Sequence, residues 1–109
     1  GVVRTPVTDA AAYSALKAPI DNLTKLLAHA LGPRSITVNA VAPGVIETDM
    51  SAAFSRDPAA IEIVKGKQAL KRIGKPEDIA DVVGFLSGPN GRWVTGQVVE
   101  ASGGTVLTF

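Results

Sequence analysis

An α/β fold, one half of a doubly wound parallel sheet, is what the sequence predicts. Two observations carry this. Apolar residues recur at helical spacing in two separate stretches, and each stretch leads to a short apolar run bounded by turn residues. The resulting order of helix, strand, helices and strand is that of half a doubly wound sheet. The 109 residues, 46% hydrophobic and 19% charged, read as one globular but partial domain, 1–109.

Residues 1–8 read as an irregular lead-in, with Pro6 as a breaker. Thr8 or Asp9 caps the helix that follows, which is expected to reach about Leu31 with Ile20, Leu23, Leu27 and Ala30 as its apolar stripe. Pro19 removes a backbone donor and predicts a kink just after Lys17. Gly32-Pro33 stops the helix. The run 36–42 reads as a strand buried on both faces, ended by Pro43-Gly44. Asp57-Pro58 marks a second helix start, and Thr48 or Asp49 a possible earlier one. Residues 48–72 together read as a mobile lid of one or two short helices. Pro76 opens a helix whose face is Ile79, Val82, Val83 and Leu86. Gly88-Pro89-Asn90-Gly91 is a turn, and 98–101 a final strand in which Glu100 is unexpected.

Net charge is +1, with Lys and Arg scattered, so composition makes no case for nucleic acid or an anionic membrane. The sequence has no cysteine, hence no disulfide or thiolate site, which fits a cytoplasmic protein. No apolar run approaches the ~20 residues of a membrane span. The start shows no basic-then-apolar signal pattern, and it lacks methionine, so an upstream part is expected. His29, the single histidine, has no partner for a metal and reads as an exposed helix residue.

Chemistry enters at Tyr13-Ser14-Ala15-Leu16-Lys17. A tyrosine and a lysine four positions apart share one helix face. A phenol titrates near pH ~10, and a neighbouring ammonium favours the phenolate and lowers that value toward working pH. General acid–base catalysis is most efficient there. Alone, the pair favours the plainer reading, an aromatic ring packed on a solvated lysine stem.

The wider pattern decides between them. Tyr13–Lys17, then 36–44 (ITVNAVAPG), 46–50 (IETDM), 74–80 (GKPEDIA), Thr95-Gly96-Gln97 and Gly103-Gly104 stand in an order and spacing that resembles the C-terminal half of the short-chain dehydrogenase/reductase family. The resemblance implies the C-terminal portion of a Rossmann-type sheet and hydride transfer between NAD or NADP and a small carbonyl or alcohol substrate. It makes Tyr13 the acid/base and gives Lys17 two tasks, lowering the tyrosine pKa and binding the nicotinamide ribose. In the stretch after the strand, Pro43, Gly44, Ile46 and Thr48 are implied cofactor contacts. The Ile46 backbone would grip the carboxamide, and the Thr48 hydroxyl the carboxamide or a phosphate. The stretches 36–50, 74–80 and 95–97 look especially like members that reduce 3-oxoacyl thioesters or oxidise small sugars and alcohols. Asn39 reads as a structural hydrogen-bonding residue, and Trp93 as packing or interface.

By the same resemblance a catalytic serine belongs at or just before Gly1, and a catalytic asparagine and the residue selecting NAD or NADP lie further upstream. Gly84, Gly88 and Gly91 fall at the end of a helix, whereas a phosphate loop needs glycines ahead of one. The expectation is an inactive isolated segment without nucleotide affinity, its strand 36–42 exposing an unpaired edge. It would form a homo-oligomer, an aggregate, or a complex with the missing N-terminal half. The alternative function is a non-catalytic fragment serving as a structural or subunit-interface piece.

Overall fold

The computed structural model describes residues 6–47 and 57–105, with side chains from residue 18 onward within those spans. Helix α1 spans Pro6–Leu31, strand β1 Ala40–Pro43, helix α2 Pro58–Lys67, helix α3 Pro76–Ser87 and strand β2 Val98–Ala101. Short 3-10 turns follow α1 at Gly32–Arg34 and α3 at Pro89–Gly91. The expected α/β order is present. β1 pairs with β2. Ala40 N–H donates to Gln97 O at 2.9 Å and Gly44 N–H to Ala101 O at 3.2 Å, the constant offset of a parallel ladder.

The chain divides into two compact units. Among the described residues, one holds 6–40 and 93–98, the other 41–47, 57–92 and 99–105. In the first, α1 begins earlier than expected. Pro6 opens the helix and does not break ahead of it, because a first-turn proline has no N–H to lose and its φ already suits a helix. The helix continues through Pro19. The expected stripe is not the buried one. Thr24 and Ala28, each 6% exposed, are buried, while Ile20, Leu23 and Leu27 are exposed. Backbone proximity explains this. A Cβ added at Gly96 would lie 3.5 Å from the Ala28 Cβ, so the backbone at Gly96 covers α1 at Ala28. Thr24 satisfies its hydroxyl by donating to Ile20 O at 2.7 Å. His29 is exposed, as expected.

In the second unit, α2 starts as read from the sequence. Asp57 Oδ1 accepts from Ala59 N–H at 3.0 Å, and Pro58 takes the first helical position. Gln68, 5% exposed, then folds the chain back, its Nε2 donating to Leu70 O at 2.8 Å and Arg72 O at 2.7 Å. Helix α3 buries Leu86 and half-buries Ile79 and Val82, but Val83, expected on the same face, is exposed. β1 is half-buried, not buried on both faces, because β2 is its only partner strand among the described residues. The strand is also shorter than the expected 36–42 and displaced toward Pro43. Glu100 is exposed on β2.

Candidate nicotinamide-loop site

Positions 13 and 17 lie within α1, one helical turn apart as predicted, with Tyr13 the eighth residue from Pro6. Their side chains are outside the described set, and so is all of Thr48.

The other sequence-predicted contacts belong to the second unit. Pro43 ends β1, and Gly44, Val45 and Ile46 continue beyond the carboxyl end of the strand, where ligands bind in open α/β sheets. A Cβ at Gly44 would stand 2.8 Å from the Ser102 Cα and 3.1 Å from its carbonyl oxygen. Glycine is therefore required there by the backbone leaving β2. The loop then turns onto Gly74. Gly74 N–H donates to Val45 O at 3.0 Å, and Glu47 N–H donates to Gly74 O at 2.7 Å, with Ile46 and Gly74 forming an isolated parallel bridge. Since Val45 and Glu47 supply those bonds, the N–H and C=O of Ile46 itself project on the side away from Gly74. The glycine at 44 and the loop's place beyond the strand end fit the close backbone approach that a nicotinamide needs. A cavity of about 150 Å³ lies beside the loop, bounded by Ile46, Gln68, Arg72, Asp78 and Ser102.

Two residues that hold this arrangement were missed from the sequence. Asp78 accepts from both Arg72 guanidinium nitrogens, Oδ2 from Nη1 at 2.6 Å and Oδ1 from Nη2 at 2.9 Å. Asp78 Oδ2 also accepts from Lys75 N–H at 2.7 Å, satisfying an unpaired donor at the start of α3. The Arg72 hydrogen bonds, then the Lys75 amide, lower the carboxyl to about 2 from an ordinary 3.8. Arg72 is raised in turn by Asp78. The available signal was the acidic residue two positions after Pro76, in the first turn of a helix with proline at its start. Arg72 lies across a loop, where no periodicity points to it.

In the first unit, Asn39 and Thr95-Gly96-Gln97 form a clasp. Asn39 Nδ2 donates to Val94 O at 2.9 Å, and its Oδ1 accepts from Gln97 N–H at 3.1 Å. Val38 N–H donates to Thr95 Oγ1 at 3.0 Å and Gly96 N–H to Val38 O at 2.7 Å. Asn39 is thus structural, as read. Among the described residues no group of acidic, histidine or cysteine side chains could hold a metal, and no helix is long and apolar enough to cross a membrane.

A family profile described as Enoyl-(Acyl carrier protein) reductase matches residues 2–106. The chain belongs to the short-chain dehydrogenase/reductase family. It is 41% identical over 105 residues to a short-chain type dehydrogenase/reductase of Picea abies, covering 96% of this chain and 38% of that protein. It is 44% identical over 96 residues to the 3-oxoacyl-[acyl-carrier-protein] reductase FabG of Pseudomonas aeruginosa, covering 88% of this chain and 38% of the relative. A 4-hydroxyisoleucine dehydrogenase solved with NADH superposes with a TM-score of 0.77 at 34% identity, over 86% of this chain and 39% of the other. A blue fluorescent protein from a metagenomic library, solved with NADPH, gives 0.71 at 40% identity, over 84% and 36%. The chain therefore spans less than half the length of these short-chain dehydrogenase/reductase relatives, and its fold is part of a Rossmann-type parallel α/β sheet.

Proposed function

We propose that this chain is the segment of an NAD(P)-dependent oxidoreductase that carries the proton-transfer pair and the nicotinamide end of the cofactor site. The reaction interconverts a carbonyl and an alcohol. The carrying observation is the Tyr13–Lys17 spacing within one uninterrupted helix of a chain belonging to this family. The loop that ends β1, tied to Gly74, supports it. So do relatives solved with NADH and NADPH.

The nicotinamide, when bound, supplies or accepts the hydride. Tyr13 donates its phenolic proton to the carbonyl oxygen in reduction, and as phenolate removes the hydroxyl proton in oxidation. Lys17 holds the phenol below its ordinary pKa by favouring the phenolate, and binds the ribose hydroxyls. Ile46 orients the carboxamide through its N–H and C=O. Pro43 and Gly44 shape the approach, Thr48 adds a hydroxyl donor, and residues 48–72 form the lid that selects substrate. The similarity to 3-oxoacyl-thioester reductases favours a thioester of that class, or a small alcohol.

In the complete polypeptide that carries this sequence, Tyr13→Phe keeps the ring and removes the proton. Turnover falls by the ~10²–10⁴ of a lost general acid or base. Lys17→Met lowers both turnover and cofactor affinity. Near-normal turnover in Tyr13→Phe refutes the assignment.

A second reading has its own observation. Leu26 is 69% exposed, and Ile20, Leu23, Phe85 and Trp93 are exposed as well. Apolar side chains in such number favour a chain that works only in association, as a homo-oligomer or with the remainder of the dehydrogenase fold. The 109 residues alone then give an associated species by light scattering and no NAD(P) binding by calorimetry. A nucleotide-binding monomer overturns this second reading.

A further inference from the structure

We propose that Gly74, fixed in place by the Asp78–Arg72 clamp, is a positioning residue that sets where Ile46 meets the nicotinamide; this rests on the functional reading above. All of the geometry lies in one unit. The loop after β1 has only a short run of regular pairing. Its first anchor is Gly44 on the end of β2, and its second is the two-bond bridge from Val45 and Glu47 to Gly74. Ile46 lies between the two halves of that second anchor. About 150 Å³ of open space lies beside it, so a shift of the bridge at Gly74 has room to move the loop.

Gly74 is itself placed from the far side. The carboxylate of Asp78 accepts from Lys75 N–H, one residue after Gly74, and grips Arg72, two residues before it. The segment 72–75 is thereby fixed to the first turn of α3. A bidentate, charge-assisted pair is stronger and more directional than a neutral hydrogen bond. The side chain at 74 must also be absent. A Cβ would come within 2.6 Å of the Ile46 Cδ1 and 3.2 Å of the Val45 carbonyl oxygen. The first contact can be relieved by the side chain, but the second presses on the backbone of the loop itself. A displacement at 74 therefore reaches Ile46 directly. Neither Gly74 nor Asp78 touches the reacting atoms; both act through the loop.

The test uses Gly74→Ala, Gly74→Ala with Ile46→Val, and Asp78→Asn in the complete polypeptide carrying this sequence. NADH and NADPH are titrated by calorimetry, and amide exchange of Glu47 and Gly74 is followed by NMR. Gly74→Ala is expected to weaken nucleotide binding by about tenfold. It should also lower kcat by up to about 10²-fold, the cost of misplacing a group by about an ångström. Ile46→Val removes Cδ1 and recovers part of that loss. Asp78→Asn speeds exchange at Glu47 and raises the cofactor KM. A merely structural role would lower Tm but leave the Kd of the folded protein and the Glu47 exchange unchanged, and that result overturns the proposal. If the unsubstituted protein binds neither nucleotide, the functional reading fails, and the positioning role fails with it. Unchanged Glu47 exchange in Asp78→Asn refutes the anchoring whatever the ligand.

Discussion

Replacing Asn39 by alanine should loosen the segment that leads into β1 from the loop that leads into β2. Asn39 contributes two bonds, to Val94 O at 2.9 Å and from Gln97 N–H at 3.1 Å. Alanine leaves the Val94 carbonyl and the Gln97 amide without these partners. Each such bond is worth about 0.5–1.5 kcal/mol net. Asn39 is only half-buried, so water recovers part of each, and a total of about 1–2 kcal/mol is expected. With a urea slope near 2 kcal/mol per molar, the midpoint falls by roughly 0.5–1 M. Asn39→Asp separates the two bonds. It keeps the acceptor for Gln97 but sets a carboxylate against the Val94 carbonyl. Protonation restores a donor there, so its deficit relative to the parent shrinks as pH falls through the raised pKa of the new carboxyl. Urea unfolding followed by circular dichroism, with exchange at the Gln97 amide as the local readout, measures both. A change within about ±0.5 kcal/mol in Asn39→Ala, with Gln97 still protected, would refute the clasp.

Three further outcomes follow from the same geometry. Asp78 has a folded-state pKa lowered to about 2 from 3.8, so its contribution to stability is present above the unfolded value and is lost as pH falls through the folded one. Acid unfolding of Asp78→Asn should lack that step, and an NMR titration placing the Asp78 carboxyl at an ordinary value would contradict the clamp. Asp57→Ala removes the α2 cap and should cost about 1 kcal/mol, whereas Asp57→Asn, which keeps an acceptor oxygen, should be nearly neutral in thermal melts. Exchanging residues 49–72 between relatives, with Thr48 kept, should change substrate preference in steady-state assays while cofactor affinity stays nearly constant. A large change in nucleotide Kd would instead place cofactor contacts in the lid.

Punctuation residues made part of the fold legible. Asp57-Pro58 and Pro76 gave the starts of α2 and α3 because a missing N–H is harmless only in the first turn. The same rule, not applied at Pro6, would have given the start of α1. Periodicity shows which helix face is apolar but not which face another segment covers. On α1 the answer at Ala28 turned on Gly96, whose backbone approaches that residue closely enough to favour a small side chain. Residues 36–39 read as strand by composition, yet Val38 and Asn39 satisfy their groups through the Thr95 hydroxyl and the Asn39 amide, which no alternation pattern encodes. On the candidate site, the loop at 43–46 was readable as a strand end. Its anchor was not, because Arg72, Gly74 and Asp78 meet through a bend whose shape only the folded backbone fixes.

Trp93 is the sole tryptophan of the sequence and is 96% exposed. An indole already in water gains little further hydration when its chain unfolds, so its emission should change little across a denaturant transition. Any partner that covers it, a second copy or another part of a dehydrogenase, must move it into a less polar environment and shift the emission to shorter wavelength. The protein thus carries one intrinsic fluorophore that is nearly silent to unfolding and responsive to association. Titrating the chain against itself while recording that single emission maximum would read an assembly equilibrium directly, without any label.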